Sequence, residues 1–366
     1  MCGIAGFTRF NNKSYDAGQI IERMCNKIAH RGPDGFGYEN LANISLGHRR
    51  LSIVDLEGGA QPIFNPNNNT HIVFNGEIYN YKALQKHLKQ KNYQLRTNSD
   101  TEVVIALYEI YGLDFLQHLE GMFAIAIWNE NEQKLILARD RMGEKPIFYQ
   151  AKDGELIFSS ELKSLVEHPL VKRKISTEGF NKFLTYEYTP GPASILQDVY
   201  KVEAGQVICF DKGGISKRFY WDYPSHNHLE GDESVSKKDL INELDGLLRS
   251  SIQNRLTADV PVGVLLSGGI DSSLVTAIAS EYTDKLQSFS IYFNEKSYDE
   301  SSHVKKITNK YSLNHHAEYL SSQNMLSIFD QLGSIMDEPM ADASIVPTYF
   351  LSKMTAKKVK TVLGGD

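Results

Sequence analysis

The apolar positions of this chain follow two different rhythms. Up to about residue 222 they come in short runs and alternations, and beyond residue 236 apolar runs take turns with helical stripes. The first rhythm predicts strands over 4–7, 46–54, 71–74, 121–128, 134–139 and 156–159, with hairpin-like strands closing the segment over 205–221. Ile20, Met24, Lys27 and Ile28 fall at helical spacing and predict a packing helix over 19–29, with Cys25 in the core beside that stripe. Further helices are predicted over 101–111 and 161–167. Residues 30–37 and 139–146 read as loops, and Cys209, alternating with apolar neighbours, as core. Strands with so few intervening helices suit two stacked antiparallel sheets flanked by helices.

Residues 222–236 contain Pro, His, Asn, Gly, Asp and Ser with few apolar positions, so a linker over 223–236 is predicted between domains 1–222 and 237–366. Beyond it, Leu240, Leu244, Leu247, Leu248, Ile252 and Leu256 predict an amphipathic packing helix. The near-continuous apolar run over 260–266 predicts a buried parallel strand. Helices over 272–282, 300–311 and 344–358 alternate with strands over 286–293, 315–320 and 359–363. That alternation predicts an α/β doubly wound parallel sheet, with ligand at the carboxyl ends of its strands.

Composition narrows the picture without deciding it. A chain of 366 residues, 41% hydrophobic and 23% charged, fits a globular protein of two domains. A net charge of −6 argues against nucleic acid as the main partner. Three cysteines without CxxC spacing suit a reducing cytoplasm and no structural zinc. No basic stretch followed by an apolar core opens the chain, so no signal peptide is predicted. No apolar run approaches the ~20 residues that span a bilayer. A cytoplasmic protein without membrane or nucleic-acid partners is the expectation.

Candidate chemistry begins at Cys2. If Met1 is removed, a thiol and a free α-amine share one residue, giving a nucleophile with a built-in base. The plainer alternative is a small buried residue ahead of a strand, with Gly3 and Gly6 admitting close backbone. Asn75-Gly76, between apolar runs, is first of all a hairpin turn. The same amide and backbone N–H could also receive a tetrahedral oxyanion. Ser99 and Glu102 have the spacing of a capping box, and Asp100 between them suits the first turn of a helix. In the second domain, Ser267-Gly268-Gly269-Ile270-Asp271-Ser272-Ser273 lies between a strand and a helix N-terminus. Backbone N–H groups and the helix dipole make such a loop an anion site, and without the lysine of GxxxxGK[ST] it is not a Walker A loop.

Five motifs occur in order: Met1-Cys2-Gly3-Ile4-Ala5-Gly6-Phe7, His30-Arg31-Gly32-Pro33-Asp34-Gly35, Arg50-Leu51-Ser52-Ile53-Val54-Asp55, Asn75-Gly76-Glu77-Ile78-Tyr79-Asn80 and the Ser267 loop. The first four resemble the class II glutamine amidotransferase domain, an αββα sandwich of the N-terminal-nucleophile hydrolase fold. The last resembles the pyrophosphate loop of the ATP pyrophosphatase fold. Together they resemble glutamine-dependent asparagine synthetase. The resemblance implies Cys2 as nucleophile and Asn75 and Gly76 as oxyanion donors. It implies a glutamine site in which Arg50 takes the α-carboxylate and Asp100 the α-ammonium, with Asn75, Gly76 and Glu77 around them. A planar bidentate donor suits the carboxylate. For ATP it implies Leu265, Ser267, Gly268, Gly269, Asp271, Ser272, Ile291, Gly364 and Gly365, with Mg2+ on Asp271. It adds Asp366, the last residue, as catalytic. The carboxylates of 337–344 could face that site, or serve a turn and helix cap.

The reaction so implied converts glutamine, aspartate and ATP to asparagine, glutamate, AMP and pyrophosphate through aspartyl-AMP. The rival expectations are an amidotransferase acting on another carboxylate, and a glutaminase-only or non-catalytic form. The family continues well beyond the point where this chain stops, which leaves the last of these open. A homodimer is one expectation among oligomeric states that the sequence leaves open.

Overall fold

A computed structural model describes residues 1–11, 15–223, 236–283, 286–293, 295 and 300–365. The chain divides into two compact units, Met1–Tyr223 with Met336–Ala341, and Pro224–Ile335 with Asp342–Asp366. Most of the predicted linker, 224–235, lies outside the described residues, as does Asp366.

The first unit contains strands β1 (Gly3–Thr8), β2 (Gly35–Asn40), β3 (Ile44–Arg50), β4 (Ile63–Phe64), β5 (Thr70–Ile78), β6 (Gly121–Asn129), β7 (Lys134–Arg139), β8 (Phe148–Lys152), β9 (Glu155–Ser159), β10 (Tyr200–Lys201), β11 (Gln206–Asp211) and β12 (Gly214–Phe219). Its helices are α1 (Ala17–Lys27), α2 (Tyr81–Gln90), α3 (Asp100–Tyr111), α4 (Phe115–His118), α5 (Leu162–Leu165) and α6 (Thr177–Tyr186). The strands form two six-stranded sheets, ordered β10-β8-β9-β1-β3-β2 and β12-β11-β7-β6-β5-β4. All their described pairings are antiparallel.

Side-chain alternation separates the layers. Ile4, Ile44 and Leu46 of one sheet pack with Val73, Ala124, Trp128 and Leu137 of the other. On the outer face of the first sheet, Ala5 and Phe7 meet Ile20, Ile21, Met24 and Cys25 of α1. On the outer face of the second, Phe74, Ile78 and Ile125 meet α2 and α3. This is the αββα sandwich that the pattern predicts.

Several local expectations are corrected. Asn75-Gly76 is no turn: β5 runs through it to Ile78, with Gly76 opposite Phe123. A Cβ at Gly76 would stand 2.1 Å from the Met122 carbonyl oxygen, so the glycine answers a cross-strand approach. β3 ends at Arg50 rather than at Val54, and β2 already begins at Gly35, inside the predicted loop. Ser99 caps α3, accepting from Thr101 N at 3.2 Å, yet there is no capping box. Glu102 reaches past Ser99 to the backbone of Arg96 and Thr97. Cys209 is half-buried.

The second unit contains α7 (Lys237–Arg255), β13 (Val262–Leu265), α8 (Ile270–Ser280), β14 (Gln287–Phe293), α9 (Ser301–Lys310), β15 (Asn314–Leu320), α10 (Ser322–Leu326), α11 (Phe329–Ile335), α12 (Ile345–Thr355) and β16 (Thr361–Leu363). Its four-stranded sheet has the order β15-β14-β13-β16 and is parallel throughout. Val264 packs with Ile252 of α7 and Ile278 of α8, whereas Phe289 packs with Met354 of α12. Helices therefore cover both faces, the doubly wound arrangement that the alternation predicts. The stripe on α7 packs only in part: Ile252 is buried, while Leu240, Leu244 and Leu247 stay exposed. Among the described residues no helix is long and apolar enough to cross a membrane.

Candidate active site

Cys2 sits just before β1, opposite the end of β3. Its Sγ accepts from Leu51 N at 3.3 Å and faces Leu51 O at 3.6 Å. Burial pushes the thiol up, countered in part by the Leu51 backbone. In the chain as it stands, Met1 precedes it. Burial lowers the Met1 amine to about 6; the Cys2 charge opposes that shift, and Arg31 and Lys145 reinforce it.

Cys2 shares the parity of Ile4, whose side chain lies between the two sheets. Arg50 shares the parity of Ile44 and Leu46 on β3, and Asn75 and Glu77 that of Val73 on β5. The strand pleat thus aims all four toward the interior of the sandwich at one end of it. The Arg50 guanidinium donates to the carbonyls of Val54 (3.4 Å), Leu56 (3.1 Å) and Asp55. Those bonds fix its direction. Asp100 opens α3, and its Oδ2 accepts from Ile78 N at 3.1 Å, which ties the helix to the end of β5. Burial raises Asp100 to about 6 against the pull of the Ile78 and Thr101 amides. Burial likewise raises Glu77 to about 7, and the charge on Asp100 pushes the same way. The Asp100 charge pushes the Cys2 thiol up and the Arg50 charge pulls it down, so both lie close enough to act on it.

Asn75 is the unusual member. It is 1% exposed, and neither its Nδ2 nor its Oδ1 has a hydrogen-bond partner among the described residues. A buried amide left unpaired costs about 1–3 kcal/mol, so such groups are rare unless something else binds them. It lies two residues, about 7 Å, along the same strand face from Glu77.

Three neighbours were not singled out from the sequence. Arg31, in the loop given no chemical role, donates from Nε to the Cys2 carbonyl at 2.9 Å and from Nη1 to Glu161 at 2.8 Å. Lys145, from the charged loop, is buried, and its Nζ lies 3.2 Å from Met1 Sδ. Asp140 builds that loop by accepting from the backbone N–H groups of Phe123, Met142, Glu144 and Lys145. The signal available was the charge density of 139–146, which does not say where the loop points. His48, also interior, is fully buried and held neutral, with burial pushing it down to about 3.

In the second unit, the predicted ATP residues gather at the carboxyl ends of three adjacent parallel strands. Leu265 ends β13, Ile291 lies near the end of β14, and Gly364 and Gly365 follow β16. Ser267 Oγ lies 2.9 Å from Ser272 Oγ, and Gly269 N donates to Ser267 Oγ at 3.3 Å, so the loop folds over the start of α8. Gly268 has φ +96°, which only glycine adopts without strain. A Cβ at Gly365 would stand 2.3 Å from Ser272 N, so the two glycine segments touch. This cradle fits a phosphate chain. Asp271, exposed in the first turn of α8, stands beside it. The carboxylates of Asp337 and Glu338 bind backbone and Lys201 in the first unit. A cavity of about 290 Å³ lined by Tyr188, Thr189, Lys201 and residues 336–340 contains none of the predicted site residues.

Comparison with known proteins matches both parts of the chain. A family model described as glutamine amidotransferase domain matches residues 1–221, and one described as asparagine synthase matches 243–366. A Methanocaldococcus jannaschii protein, provisionally named asparagine synthetase (glutamine-hydrolyzing) 2, is 37% identical over all of this chain and 74% of its own length. The chain belongs to the glutamine-hydrolysing asparagine synthetase family. Asparagine synthetase (glutamine-hydrolyzing) 1 of Bacillus subtilis is 33% identical, and the chain spans 57% of its length. Amidase chry2 of Gibberella zeae is 31% identical, and the chain spans 58% of it, so members of this family carry more than one activity name.

Proposed function

We propose that this chain hydrolyses glutamine at Cys2 and delivers the ammonia to an ATP-activated aspartate, as a glutamine-hydrolysing asparagine synthase. The observation that carries the first half is the buried, unpartnered amide of Asn75 on the strand face it shares with Glu77, in the interior of the sandwich toward which Cys2 is also aimed. An oxyanion formed on the glutamine side-chain amide would give that amide its missing partner, with the Gly76 N–H as second donor. Arg50 pairs with the substrate α-carboxylate and Asp100 with its α-ammonium. Glutamine binding thereby brings a cation to a carboxylate whose charged form burial disfavours.

With Met1 removed, the Cys2 α-amine takes the thiol proton, and Sγ attacks the amide carbon. The tetrahedral adduct collapses as the α-ammonium returns that proton to the departing nitrogen, which expels ammonia and leaves a glutamyl thioester. Water hydrolyses it to glutamate and restores the thiol. In the second unit the aspartate β-carboxylate attacks the α-phosphate of ATP, releasing pyrophosphate and giving aspartyl-AMP. Ammonia then displaces AMP to form asparagine. The Ser267–Ser272 loop would hold the pyrophosphate by backbone N–H groups at the start of α8. Mg2+, held by one or two carboxylates plus phosphate oxygens in sites of this kind, would sit at Asp271 and neutralise phosphate charge. The role of Asp366 as a catalytic carboxylate remains part of this proposal.

The amidase name of one relative supports a second reading, in which the same glutaminase serves another carboxylate. Amide-15N glutamine, aspartate and MgATP separate the two by mass spectrometry. Labelled asparagine with AMP is the expected result. Glutamate formed without AMP or labelled asparagine overturns the ligase half.

A further inference from the structure

One buried carboxylate of the first unit has no part in the reaction above. Glu161 Oε1 accepts from Arg31 Nη1 at 2.8 Å and from His30 Nε2 at 3.0 Å, and Lys163 Nζ lies 3.4 Å from Oε2. Burial alone would raise this carboxyl, but the bonds from His30 and Arg31 and the Arg31 charge outweigh it and hold it at about 2. It is therefore ionised throughout the working range of pH. The Arg31 side chain is only 9% exposed, and its Nε grips the Cys2 carbonyl at 2.9 Å.

The residue before Glu161 is tied to the same stretch of β1. Ile4 N donates to Ser160 Oγ at 3.0 Å, and Ser160 N donates to Ile4 O at 2.9 Å. The residues after it are held from elsewhere. Leu162 N and Lys163 N (2.9 Å) both donate to the Asp337 carboxylate. Asp337 lies in Met336–Ala341, a segment of the first unit whose chain neighbours on both sides belong to the second. Beside it, Glu338 accepts from Ile195 N at 2.8 Å and pairs with Lys201 at 2.6 Å.

We propose that Glu161 is a positioning residue for the nucleophile, fixing the Cys2 carbonyl through Arg31, and that Asp337 anchors Glu161 in turn. Rotation about the Cys2 backbone moves Sγ relative to the substrate carbon. A misplacement of about 1 Å at a reacting centre slows attack on the order of 100-fold. A carboxylate bound to both guanidinium and imidazole removes that freedom, and the Asp337 contacts prevent the carboxylate from drifting. A merely stabilising ion pair would instead affect melting and leave the nucleophile alone.

The kinetic half of this inference rests on the glutaminase reading; the structural half does not. The test compares wild type, Glu161→Gln, Glu161→Asp and Asp337→Asn by two readouts. One is amide hydrogen exchange of the peptide covering residues 1–8, read by mass spectrometry. The other is kcat and KM for glutamine hydrolysis. In Glu161→Gln the N-terminal peptide should exchange faster while peptides of β6 and β7 do not. Its kcat should fall on the order of 10-fold to 100-fold with KM held within about threefold. Glu161→Asp should recover part of the loss, and Asp337→Asn should shift both readouts the same way by less. If Glu161→Gln does not fold, Asp337→Asn carries the test. Unchanged exchange of peptide 1–8 in the folded variants overturns the inference, as does faster exchange spread evenly over the unit. If wild type does not hydrolyse glutamine, or Cys2→Ala does so equally well, the glutaminase reading fails, and exchange alone decides the positioning claim.

Discussion

Replacing Asn75 by Ala separates an oxyanion donor from a structural asparagine, because the first role is lost in catalysis and the second in stability. A structural asparagine has partners, and deleting it forfeits about 1–3 kcal/mol, since those partners are left buried and unpaired. Asn75 has none among the described residues, so Ala at that position strands nothing. It removes two unpaired polar atoms and leaves a small void, two effects of opposite sign. Net stability should therefore stay within about 1 kcal/mol, a melting shift of roughly 2–4 °C for a unit of this size. Catalysis should suffer far more. Loss of one oxyanion donor raises the barrier by about 2.7–4 kcal/mol, a fall in kcat of roughly 100-fold to 1000-fold. KM should change little, because the donor meets charge that exists only in the transition state. The assay is glutamate release under saturating glutamine, with thermal unfolding of the same preparation. A melting drop beyond about 5 °C with kcat within threefold of wild type would refute the reasoning.

Other substitutions probe the remaining parts of the account. Arg50→Ala should raise KM for glutamine and lower kcat/KM by roughly 10-fold to 100-fold, the worth of a charged hydrogen-bonded pair, read from initial rates. Asp100 is pushed up to about 6, so the folded state holds its proton more tightly than the unfolded chain does. Its charged form therefore takes stability away as pH rises from about 4 through 6. The melting difference between Asp100→Asn and wild type, without glutamine, should accordingly grow in favour of the variant from pH 5 to pH 7.5; a flat difference contradicts it. Gly76→Ala should unfold the first unit or cost several kcal/mol, because the new Cβ meets the Met122 carbonyl oxygen at 2.1 Å; circular dichroism reads this. Asp271→Ala should abolish ATP-dependent asparagine formation and leave glutamine hydrolysis intact. Cys2→Ala should do the reverse, with ammonium as nitrogen source, both followed by product chromatography.

The sandwich was legible because its layers need alternating faces, and Ile4, Val73 and Phe74 carry that alternation in the sequence. The parallel sheet was legible because β13 lies in a near-continuous apolar run and strands alternate with helices beyond it. The candidate site residues Cys2, Arg50 and Asp100 were singled out through the family resemblance; local pattern alone offered a small buried residue, a surface arginine and a first-turn carboxylate. What stayed hidden depends on pairings distant in sequence. Glu161 meets Arg31 only because β9 lies against β1, and Lys145 reaches Met1 only because Asp140 curls its loop. Local rules misled where a tertiary contact overrode them. Asn75-Gly76 has the composition of a turn, but the nine-residue strand through it is held by β6. Glu102 had the spacing of a capping box, yet the backbone of Arg96 and Thr97 offered it more donors.

The central claim, that Cys2 is the nucleophile toward glutamine, is tested most directly by trapping the covalent species. The protein is mixed with glutamine, quenched in acid within the first turnover and digested, and the N-terminal peptide is weighed. The account predicts a peptide that begins at Cys2 and carries a glutamyl group on its sulfur, absent when the quench follows substrate exhaustion. Glutamate released at full rate with no adduct on Cys2, and equally by Cys2→Ala, would contradict it.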